Sequence, residues 1–211
     1  MSRWLRVLLL CLVALGLFAP PAAAAPDKKL AAHLGALWTA VLETPTAQNP
    51  FTGGDPCVQL DGAVAPVAPL GTESVTCTVT TGTKIFVLGW TSECSTVEAP
   101  PYFGTDEPSL RACARAVDAQ LDPPTVTVDG RPLPVVEVET ALLDVVLPAD
   151  NIFGQPAGTA ALSVGHGWVA LLHPLPPGTH EIVIHVTGTY LDEPVDFTNT
   201  TTIIVQPGRG N

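Results

Sequence analysis

The chain has 211 residues and a formal net charge of −11 at pH 7, with 18 glycines and 22 prolines spread among 46% apolar residues. A chain this acidic does not grip nucleic-acid phosphates and is repelled by anionic membrane surfaces. Glycines and prolines interspersed with apolar runs fit many turns between strands and not a disordered chain.

Arg3 and Arg6 precede an apolar run, Val7 to Phe18, and Ala22 to Ala25 offers a small-residue cleavage site, most simply after Ala24. That order reads as a secretory signal peptide over residues 1–24. The apolar run is short for a membrane span and ends in Pro20-Pro21. Cys11 follows three leucines, where a lipoprotein cleavage site needs a small residue, so lipidation is rejected. Losing Arg3 and Arg6 takes the net charge from −11 to −13. Residues 25–211 then suffice for one secreted domain with a sizeable core and are too few for two.

Asp27 is placed to N-cap a helix from Lys28 to about Glu43, with Leu30, Leu34, Leu37, Trp38 and Val41 on one stripe. Thr44-Pro45 stops it. Val58 to Leu60 reads as a short strand, and Gly62 to Leu70 has no clear pattern. Ser74 to Thr80 alternates, with Val75, Cys77 and Val79 on one side. Lys84 to Trp90 reads as a strand buried on both faces. Glu93 to Pro108 fits neither strand nor helix. Leu110 to Leu121 returns to helical spacing through Leu110, Cys113, Ala114, Val117 and Leu121. Thr125 to Val128, an Asp129-Gly130 turn and Leu133 to Thr140 form a predicted hairpin. Leu142 to Leu147 and Thr159 to Val164 are further strands.

The last stretch predicts a long hairpin, His166 to His173 and Thr179 to Thr187 around Pro174–Gly178, followed by a strand from Thr200 to Val205. With His173 opposite His180, one face carries Val169, Leu171, Ile182, Ile184 and Val186 as core, packed with Ile85, Val87 and Val126. The other face carries His166, Trp168, Ala170, Leu172, Glu181, Val183 and His185 and is mixed. Nine or ten short strands at regular spacing predict a mainly β protein, an antiparallel β-sandwich with one or two short peripheral helices.

Four cysteines remain after cleavage: Cys57, Cys77, Cys94 and Cys113. An even number in an exported chain reads as two disulfides. Three connectivities exist, of which the sequential one, Cys57–Cys77 and Cys94–Cys113, is preferred. The spacings contain no C-x-x-C pair, which disfavours zinc.

Trp38, Asn49-Pro50, Cys57, Cys77-Thr-Val, Glu93-Cys94-Ser95, Leu110-Arg-Ala-Cys113, Val128-Asp-Gly130, Gly167-Trp168 and Pro174-Leu-Pro-Pro-Gly-Thr-His180 occur in that order. The pattern resembles a family of exported bacterial and archaeal proteins of unknown function. That resemblance implies a β-sandwich and carries over no catalytic residue. The chain departs from it at Gly62 to Leu70, where the family leads one to expect an aromatic strand.

Candidate chemistry is sparse. His166, His173, His180 and His185 cluster in sequence, but the predicted register supplies no third ligand for the His173/His180 pair. Glu93, Glu98, Asp106 and Glu107 form an acidic loop of the kind that holds Ca²⁺, although no EF-hand spacing is present. Asp106 and Glu107 also suit the start of the following helix. No G-x-S-x-G, H-E-x-x-H, P-loop or G-x-G-x-x-G motif occurs. Two function classes follow. The first is a non-enzymatic secreted or cell-surface binding module for carbohydrate or protein, with Tyr102 and Phe103 on a disulfide-pinned loop and Trp168 and Tyr190 extending the surface. The alternative is a secreted hydrolase using loop carboxylates such as Glu93 and Asp106.

Overall fold

The computed structural model describes residues 27–69 and 72–208. The signal peptide assigned to residues 1–24 lies outside the described residues. Helix α1 (Lys28–Leu42) starts where Asp27 accepts hydrogen bonds from the Lys29 and Leu30 amides. It is followed by β1 (Cys57–Leu60), β2 (Ala63–Pro66), β3 (Ser74–Thr80) and β4 (Lys84–Ser95). Helix α2 (Glu107–Asp118) begins at a capping box in which Asp106 and Ser109 satisfy each other's backbone amides. Then come β5 (Thr125–Val128), β6 (Arg131–Pro132), β7 (Val136–Glu139), β8 (Leu143–Val146), β9 (Ala160–Leu172), β10 (Gly178–Tyr190) and β11 (Glu193–Gln206).

The strands form two sheets. The first runs β1-β2-β4-β9-β7, with β8 also on β9, and the second runs β3-β11-β10-β5-β6. Val64, Ile85, Val87 and Ala170 of the first sheet pack on Cys77, Val79, Val126, Ile182, Ile203 and Val205 of the second. This is the expected mainly β sandwich with two helices. Most pairings are antiparallel, but β2–β4 and β3–β11 are parallel. The apolar stripe of α1 covers the outer face of the first sheet, where Leu34, Leu37 and Trp38 meet Phe86, Val138 and Val169. Helix α2 seals the end of the sandwich through Leu110, Ala114 and Val117 against Cys94 and Val164. Both predicted disulfides are present, with Cα separations of 5.6 Å for Cys57–Cys77 and 6.1 Å for Cys94–Cys113.

One predicted pairing is wrong. β9 and β10 do not form a hairpin: β9 pairs with β4, β7 and β8, and β10 with β5 and β11. Their connection contains Pro174, Pro176 and Pro177, which lack the amides a closing ladder needs, and it passes from one sheet to the other. The predicted core face is therefore split. Val169 and Leu171 pack beneath α1, whereas Ile182 lies in the sandwich. Val186 is buried too, but Ile184 is half-buried. The long hairpin is β10–β11, closed by Leu191-Asp192 with φ of 50° and 68°. The Asp129-Gly130 turn is found as predicted, with φ of 49° and 74°. Its return strand β6 is short, however, and β7 leaves for the first sheet.

Candidate functional site: a groove along the open edge of β4

β2 accompanies β4 only at Lys84 and Ile85. Further along the same edge, the Ser95 amide donates to the Tyr102 carbonyl and the Gly104 amide to the Ser95 carbonyl. Between those two contacts no strand among the described residues covers β4 on that side. A groove of about 520 Å³ runs along this stretch. One wall is α1 with the following turn, through Leu37, Trp38, Val41 and Phe51. The other is the β10–β11 hairpin, through Ile184, Tyr190 and Phe197.

A β-bulge between Leu88 and Trp90 shapes the floor. Gly89 sits at the bulge, where a Cβ would lie 2.8 Å from Pro124 Cγ and 3.1 Å from the Trp168 carbonyl. The extra residue shifts the side-chain alternation. Before it Phe86 and Leu88 face α1. After it Thr91 does, accepting from Trp38 Nε1 at 3.0 Å, while Trp90 turns toward the rings of Tyr190 and Phe197.

The backbone of the floor also points into the groove. The Gly165 amide and carbonyl are both spent on Thr140, on the β7 side of β9. Glu93 lies opposite Gly165, so in the antiparallel ladder its own amide and carbonyl turn away from β9 and toward the open edge. Thr91, two residues earlier, faces the same way. Ser95, two residues later, uses that orientation to bond Tyr102 and Gly104.

At the Tyr102 end stands a pair of acids. Glu93 is only 6% exposed, and its Oε1 is buried with no donor. The neighbouring Glu98 carboxyl accepts from Ser95 Oγ at 3.2 Å. Ser163 Oγ faces Glu93 without a well-formed bond of its own. Burial, then the neighbouring Glu98 charge, raises the Glu93 pKa well above the ordinary value; burial raises that of Glu98. The Tyr190 hydroxyl pKa is also pushed up by burial and by its hydrogen bond with the Tyr102 hydroxyl.

A folded state that retains a proton the unfolded chain releases is stabilised below the ordinary glutamate value and loses that stability as pH rises through the raised value. Thermal midpoints measured from pH 4.5 to 8 therefore fall more steeply for the wild type than for Glu93→Gln. Equal slopes would show that Glu93 does not titrate above its ordinary range in the folded protein.

The structure brings Tyr102 and Tyr190 together in this groove. Phe103 is 41% exposed and does not line it; nor does Trp168, whose ring lies 6.2 Å from His166. The four acids of the predicted calcium loop do not converge. Glu93 and Glu98 line the groove, whereas Asp106 caps α2 and Glu107 pairs with Arg111. Among the described residues, no three His, Cys, Asp or Glu side chains form a metal-binding group. His180 contacts two acceptors, Asp129 Oδ2 at 2.8 Å and the Pro176 carbonyl at 2.9 Å. These hydrogen bonds raise its pKa and leave neither ring nitrogen free for a metal.

Sequence reasoning missed Asp118. Its Oδ1 accepts from Trp90 Nε1 at 2.9 Å and its Oδ2 faces His166 Nδ1 at 2.7 Å, both inside the α2–sheet interface. His166 Nε2 lies 3.4 Å from Glu137. Asp118 thus ties α2 to both β4 and β9. A signal for Asp118 existed: it lies four residues after Ala114 on the apolar stripe of α2. The α1 wall and Phe197 had no signal, because they meet β4 only through tertiary packing.

No family model, no curated protein and no solved structure matches this chain.

Proposed function

We propose that the protein is an exported, non-enzymatic binding module whose ligand lies in the groove along β4. Two disulfides suit an oxidising compartment. Among the described residues no helix is long and apolar enough to cross a membrane. The observation that carries the reading is the groove itself: a preformed cleft of about 520 Å³ with Trp38, Phe51, Trp90, Tyr190 and Phe197 on its walls. Large preformed apolar clefts with a few polar groups are where ligands bind. Of carbohydrate and protein, protein is the better fit. The exposed lining surface is mainly apolar, whereas sugar hydroxyls need many polar partners.

The groove predicts binding of an apolar fluorescent dye such as anilinonaphthalene sulfonate, with quenching or transfer from Trp90. Phe197→Ser removes one wall ring at a partly exposed position and weakens dye binding about tenfold. Phe103→Ala, outside the groove, leaves binding unchanged. Equal binding by wild type and Phe197→Ser would place the dye elsewhere and remove the support for this site.

One observation favours a hydrolase as second reading. Glu93 and Glu98 are neighbouring acids whose pKa values are raised, chiefly by burial, as in carboxyl pairs that activate water. Peptide cleavage seen by mass spectrometry, and abolished in Glu93→Gln, would replace the binding reading with this one.

A further inference from the structure

We infer that the occupant of this groove is an extended polypeptide segment that adds as a strand to the open edge of β4, with a basic side chain at the Glu93–Glu98 end. This rests on the groove being the ligand site and goes further by naming the ligand's chemistry.

The first argument is the backbone. Thr91 and Glu93 direct amides and carbonyls into the groove, and edge strands with unpaired groups are templates for another strand. A ligand that only filled the apolar volume would exclude water from these groups and leave them unpaired. The edge is also already used at both ends. β2 pairs with it at Lys84 and Ile85, and Phe103 bridges Ser95, both in parallel. Among the described residues no strand pairs with the middle, and the segment from Pro66 to Pro69 lines the groove beyond it. The part that floors the groove, Leu88 to Glu93, spans roughly 20 Å at strand rise, the length of a five- or six-residue strand. It contains no Lys, Arg or Pro, the residues that usually block an edge.

The second argument is the floor between two apolar walls. A strand added there presents alternate side chains to α1 and to the β10–β11 hairpin, so both of its faces meet apolar residues. The third is charge. Glu93 Oε1 is buried without a donor, Glu98 stands beside it, and neither pairs with a Lys or Arg among the described residues. A ligand ammonium brings three donors to that end.

The test uses the disulfide-bonded protein and an array of synthetic hexapeptides alternating Val or Phe with Thr, with Lys near one end. Competition with the dye gives affinities. Single N-methyl groups are then placed at each position of the best binder. Methylation of the residues whose amides face β4 weakens binding at least tenfold, while the alternate positions change it less than twofold. Replacing Lys by norleucine weakens binding about tenfold on wild type and has little effect on Glu93→Gln. Uniform sensitivity along the peptide, or no array member displacing bound dye, overturns the added strand and leaves the groove reading standing. Norleucine binding as well as Lys overturns the basic end. Failure of the dye itself to bind overturns both.

Discussion

Asp118→Ala lowers the free energy of unfolding by about 3–5 kcal/mol, the sum of two hydrogen bonds to a buried carboxylate at about 1.5–3 kcal/mol each. Asp118 is fully buried and serves two partners at once, Trp90 on β4 and His166 on β9. The substitution strands the Trp90 indole N–H and the His166 ring nitrogen without an acceptor. His166 is buried, so its ring nitrogen does not reach water readily. Stabilities of small domains are about 5–15 kcal/mol, so the loss is a large share of the total. Asp118→Asn keeps the volume and one acceptor oxygen and loses less, roughly 1–3 kcal/mol. Chemical denaturation followed by tryptophan fluorescence measures both. A loss under about 1 kcal/mol for Asp118→Ala would mean that Asp118 does not hold α2 to the sheet.

How much of this molecule was legible in the sequence depends on how local each signal is. Helix α1 was readable, because Asp27 and the Leu30–Leu34–Leu37–Val41 stripe lie within one element. So was β3, whose Val75, Cys77 and Val79 alternate cleanly. That the four cysteines form two disulfides followed from their even number, while the sequential pairing was a preference among three connectivities. Partner choice between strands was not readable. The run through Pro174 to Gly178 looks like a hairpin loop by composition, and nothing local says that the chain changes sheets there. The true hairpin turn, Leu191-Asp192, adopts positive φ without the Asn-Gly signature. The groove is harder still. Glu93 and Glu98 were visible as acids, and Tyr102 and Tyr190 as spare aromatics, but Asp106 and Phe103 carried the same signals. What separates them is burial beside β4, set by the Gly89 bulge and the docking of α1.

That docking can be broken at one side chain. Phe86→Ala lowers stability by about 3–5 kcal/mol, the usual cost of deleting a buried aromatic ring. Phe86 is fully buried on the α1 face of β4, with its ring centroid 5.4 Å from that of His33 on α1. It sits two residues before Leu88, where the groove floor begins. Alanine leaves a cavity between helix and sheet, and the Leu37–Trp38–Val41 wall closes onto it or detaches. Dye binding in the groove should therefore fall along with stability, under conditions where the variant is still folded. Phe103→Ala is the matched control: an exposed ring changes stability by less than about 0.5 kcal/mol and leaves dye binding alone. If Phe86→Ala lost stability but kept full dye binding, the α1 wall would not contribute to the site, and the groove would have to be formed by β4 and the β10–β11 hairpin alone.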